Sequence, residues 1–157
     1  MSCDVAAAAF LMFVSASGPS GASVAPAVAE APPPVSSRPL FQDIVGRAGK
    51  LKAEAETYRT SLSGAADVVA LPGADAFGAQ IGQLSALDQQ GSDWLKAHSS
   101  DGDLKCILHG ISQDLMVKLA AMKDAKTAHD ETLALRDMAF LLRDNVEVIT
   151  APPAPAA

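Results

Sequence analysis

Between positions 39 and 149 apolar side chains return at steps of three and four residues, the period of one face of a helix. Phe41, Ile44, Ala48, Leu51, Ala55, Tyr58 and Leu62 alternate those steps strictly, as a coiled-coil seam does, and predict a first helix from about Pro39 to Leu62. Proline suits its first turn, where a backbone N–H has no intrahelical acceptor to lose. Ser63 to Ala74 then reads as a loop, with Pro72-Gly73 marking a turn.

A second helix is expected from an N-cap at Asp75 to about Ala97, on the seam Phe77, Ile81, Leu84, Asp88, Gly91 and Leu95, with Leu87 and Trp94 on its flank. Asp88 is the odd member of that stripe. It is either a buried acid with a raised pKa or, the favoured reading, an acid carried to water by a rotation of the helix near Gly91. His98 to Asp103 forms a polar turn that leaves acids near the positive end of the next helix.

The third helix carries Leu104, Leu108, Ile111, Leu115, Leu119 and Met122. Beyond it the pattern changes phase, to Ala128, Thr132, Leu135, Ala139, Leu142, Val146 and Ile149. Lys123 and Lys126 suit a helix C-terminus, and Thr127 with Asp130 resembles a capping box. A break near 125–129 is therefore expected. The fold class that follows is all-α, an antiparallel four-helix bundle, with a three-helix arrangement in which the third and fourth helices fuse as the alternative.

Segments outside 39–149 lack this pattern. Residues 1–22 read as a signal-peptide-like segment, because the apolar run Val5–Ala16 is too short to span a membrane and small residues follow it. No basic residue precedes the run, which is atypical of such a signal. Residues 23–38 form a Pro/Ala-rich linker and residues 150–157 a disordered Pro/Ala tail, since neither can bury enough apolar surface to offset its ordering entropy. The expected location is periplasmic or secreted, with a cytoplasmic protein as the alternative, and membrane contact only during export.

Composition sharpens this picture modestly. Apolar residues make up 49% of the 157, yet aromatics are only 4%, which favours helices over sheets. Twelve basic residues are scattered among 18 acidic ones for a net charge of −6, with no basic stripe along the sequence and hence no expectation of nucleic acid as a partner.

Candidate chemistry is sparse. Cys106 and His109 lie three apart on one helix face and could share a soft metal ion, although zinc wants about four ligands. Both fall opposite Leu104, on the side of the third helix away from its apolar face. With Cys3 removed by export, Cys106 is expected to stand alone without an internal disulfide. A haem held by His98 and a methionine has no distinguishing spacing. Di-iron bundles need Glu three residues before His, where this chain has Leu95, Cys106 and Lys126. Met116, Met122, Met138 and Phe140 read as core filler. No catalytic constellation emerges. The expectation is a non-enzymatic domain that acts through a protein partner or as a homo-oligomer, the alternative being a metal- or haem-binding bundle using Cys106 and His109.

Overall fold

The computed structural model describes residues 34–98 and 102–151. Within them a short 3-10 turn, Val35–Ser37, precedes four α-helices: α1 Pro39–Ser61, α2 Ala74–His98, α3 Gly102–Asp124 and α4 Ala128–Thr150. The apolar run, most of the linker, the turn at 99–101 and residues 152–157 of the tail lie outside the described residues, while Thr150, read as part of the tail, ends α4. Among the described residues no helix is long and apolar enough to cross a membrane.

Each helix packs beside its neighbour in sequence, and α1 meets α4 to close the ring, so α1/α3 and α2/α4 face each other only across the core. Cross-helix bonds give the directions. Tyr58 near the end of α1 reaches Pro72 just before α2, while Arg47 reaches Gln83 midway. Ser85 and Ser92 of α2 pair with Ser112 and Lys105 of α3 in reverse order. This is the antiparallel four-helix bundle that the seams predict.

Local chemistry sets the helix limits. Pro39 opens α1 as expected. Gly73 ends the α1–α2 loop at φ +79, a backbone region open to glycine, with Phe77 N–H bonded back to its carbonyl. Asp75 proves to lie inside the first turn of α2 and not at its cap, because the helix starts one residue earlier. The third and fourth helices separate at Ala125–Thr127. There Thr127 Oγ1 accepts the Asp130 N–H at 3.1 Å and donates to Asp130 Oδ2 at 2.7 Å, a reciprocal cap that satisfies one of the orphan donors of α4.

Every predicted seam residue of α1, α2 and α3 is buried. The fourth seam is corrected. Thr132 and Val146 are only partly buried, while Glu131, Met138 and Asn145 lie on the core side with Leu135, Leu142 and Ile149. The predicted Ala128, Leu135, Ala139, Leu142 and Ile149 are buried, and the stripe runs 128, 131, 135, 138, 142, 145 and 149. It contains two polar residues, which a search for apolar positions steps over.

The core thins where small residues sit. A Cβ added at Gly91 would meet Ile44, Leu108 and Phe41 side-chain atoms, each at 3.3 Å, so α2 approaches α1 and α3 there as closely as packing allows. Trp94 closes that end, with Phe41 edge-on at 5.7 Å, the Arg38 guanidinium 4.4 Å from its ring and His98 stacked at 3.9 Å.

Candidate functional site

Asp88 is fully buried, contrary to the favoured sequence reading. No rotation at Gly91 lifts it out, because Gly91 itself is packed against two other helices. Its Oδ2 accepts a 2.8 Å hydrogen bond from Asn145 Nδ2, also fully buried, so the contact spans the α2/α4 diagonal through the centre of the bundle. Asp88 Oδ1 and Asn145 Oδ1 have no hydrogen-bond partner among the described residues. Burial pushes the Asp88 carboxyl up to about 8, against the opposing effect of the Asn145 hydrogen bond. A neutral acid carries an O–H, the donor this pair of orphan oxygens lacks. Both groups are closed off from solvent, and their contact ties α2 to α4.

His109 is half-buried at the α2/α3 junction. Its Nδ1 lies 2.8 Å from Gln89 Oε1 and its Nε2 lies 3.3 Å from Gln113 Nε2. A neutral ring donating from Nδ1 and accepting at Nε2 satisfies both glutamines. Ser85 and Ser92, seven apart on α2 and flanking Gln89, each donate at 2.7 Å to a backbone carbonyl of α3. The histidine thus belongs to a polar seal along this junction. Cys106 is half-buried and, in the 157-residue chain, disulfide-bonded, so its sulfur is not presented there as a thiolate; the expectation of a lone thiol concerned the chain after export. Among the described residues no group of three or more His, Cys, Asp and Glu gathers as a metal site would require.

The α1/α4 junction is built differently. Ala48, Ala55 and Ala139 bury against their neighbours, and a groove outside them is lined by Lys52, Glu56, Arg59, Arg136, Phe140 and Arg143. Phe140 is 48% exposed, and the Arg143 guanidinium sits 5.2 Å from its ring centre. Basic residues that look scattered along the chain are gathered here. The signal was available in the sequence, as two basic pairs seven residues apart, 52/59 and 136/143, on helices that turn out to be neighbours.

The outward surface of α3 completes the inventory. Met116 and Val117 are 45% and 60% exposed, and Ala120 and Ala121 beside them are exposed too. Of the four residues read as core filler, Met122 and Met138 are buried, whereas Met116 and Phe140 face outward. No family model, curated protein or solved structure matches this chain.

Proposed function

We propose that this chain is an exported, non-enzymatic helical domain that acts by association, with another protein or with its own copy, through the outward face of α3. Export rests on the apolar run at 5–16 and the small residues that follow it. The observation that carries association is the stripe Met116, Val117, Ala120 and Ala121, apolar and exposed, with Gln113 and Asp114 at one end and Lys123 and Asp124 at the other. An apolar centre with a polar rim is the anatomy of a protein interface.

Light scattering after size exclusion tests the reading. A particle mass that exceeds one chain and rises with concentration, or a protein retained from periplasmic extract, is expected, and Val117→Glu should abolish either one. A strictly monomeric particle that retrieves nothing overturns it.

A further inference from the structure

The groove between α1 and α4 opposes the sign of its own chain, whose net charge is −6. We propose that it receives an acidic amphipathic helix of a partner protein, with carboxylates meeting Lys52, Arg59, Arg136 and Arg143 and an apolar side chain covering Phe140. This site is separate from the α3 stripe and shares with the proposed function only the premise that the domain acts by binding.

Spacing is the first argument. Lys52 and Arg59 are one row, Arg136 and Arg143 the other, on antiparallel neighbours. Seven residues of helix rise roughly 10.5 Å, so each row sets its two cations about that far apart along the groove. A single small anion cannot span such a row. A third helix lying along the groove repeats its own side chains at the same rise, and residues seven apart on its buried face meet both cations of a row.

Availability of the charges is the second argument. Lys52 pairs with Glu56 at 3.0 Å, Arg136 with Asp137 at 2.8 Å, and Arg143 with Asp144 at 2.9 Å and Glu147 at 3.4 Å. All are contacts within one helix between partly exposed or exposed side chains, the kind worth little in water and readily exchanged for an incoming carboxylate. Arg59 makes no ion pair among the described residues, and Glu56 is the one acid among the lining residues of the groove. Phe140 supplies what a purely ionic face would lack, an apolar anchor beside the cations. The acidic remainder of the surface repels the same partner and so orients its approach.

Fluorescence anisotropy with a labelled synthetic peptide tests this. The probe is a roughly 20-residue helical sequence with Glu at positions seven apart and Leu between them on the same face, and the control replaces those Glu by Lys. Expected is micromolar-range binding of the Glu peptide that weakens steeply with salt, about tenfold weaker binding for both Arg59→Glu/Arg143→Glu and the milder Arg59→Gln/Arg143→Gln, and weaker binding for Phe140→Ala. Val117→Glu should leave the affinity unchanged, which separates this site from the α3 face. Equal binding of the Lys peptide, or affinity indifferent to the arginine variants, overturns the proposal. So does binding by phosphatidylglycerol vesicles but not by the peptide, and so does loss of self-association in the arginine variants without any peptide binding.

Discussion

Both diagonals of this bundle bury large apolar side chains, but one of them also carries a polar pair. Across one, α1 and α3 offer Phe41, Ile44, Leu51, Leu104, Leu108, Ile111 and Leu115, with the Tyr58 hydroxyl held at one end by the Pro72 carbonyl. Across the other, α2 and α4 meet at mid-core through an acid and an amide. The first diagonal supplies volume and the non-directional gain of apolar burial. The second is directional. A one-turn slip of α4 would set Asp88 against Leu142 or Ile149 and strip the acid of its donor, a loss of ~1–3 kcal/mol. Leucine on leucine tolerates more than one alignment; Asp88 on Asn145 tolerates one.

The largest expected effect tests the apolar diagonal. Leu108→Ala should destabilise the domain by ~3 kcal/mol, and by the same amount at pH 5 as at pH 9, because only packing is lost. Denaturant titrations at the two values check it; a pH-dependent loss would blur the distinction between the diagonals.

The polar diagonal should carry the pH dependence instead. Unfolded, the Asp88 carboxyl ionises near pH 4, whereas in the native core it does so near 8. Between those values the native state holds one more proton than the unfolded chain. Stability contributed by this group is therefore full below about pH 4, falls by up to ~1.4 kcal/mol per pH unit above it, and levels off beyond about 8. Asp88→Asn should flatten that slope and, since its amide N–H can donate to Asn145 Oδ1 and no second acceptor is left orphaned, gain ~2 kcal/mol at pH 8. Melting curves from pH 5 to 9 decide the matter, and an unchanged slope in the variant sinks it.

The smallest test uses glycines. Gly91→Ala forces a Cβ against three side chains of α1 and α3, and should cost ~1–2 kcal/mol despite its better helix propensity. Gly49→Ala, on α1 with nothing within 4 Å, should gain ~0.5–1 kcal/mol. Opposite signs in thermal denaturation place the tight contact at Gly91; equal signs would remove it.

Legibility in the sequence follows the same division. The seams of α1 and α3 read correctly residue by residue because apolar periodicity is what a core of that kind consists of. The break before α4 was visible in Thr127 and Asp130, since capping chemistry is local. Asp88 was visible but read outward, and Asn145 was missed, because each makes sense only through a partner 57 residues away in sequence. The basic groove failed for a related reason. Its two rows are regular within each helix, but their adjacency belongs to the tertiary arrangement.

The pairing of α1 with α4 has a consequence for how the chain folds. Three of the four helix junctions join sequence neighbours and can zip as hairpins, whereas this one joins the first helix to the last. Contacts between distant segments raise contact order and form only after the intervening chain is already drawn in, although each doubling of the closed loop adds only ~0.6 kcal/mol of entropy. Docking of α1 on α4 is then the late, ring-closing event, and the groove it forms comes into being only when the bundle is complete. A partner that recognises the groove thereby recognises the finished molecule and passes over chains still on their way to it.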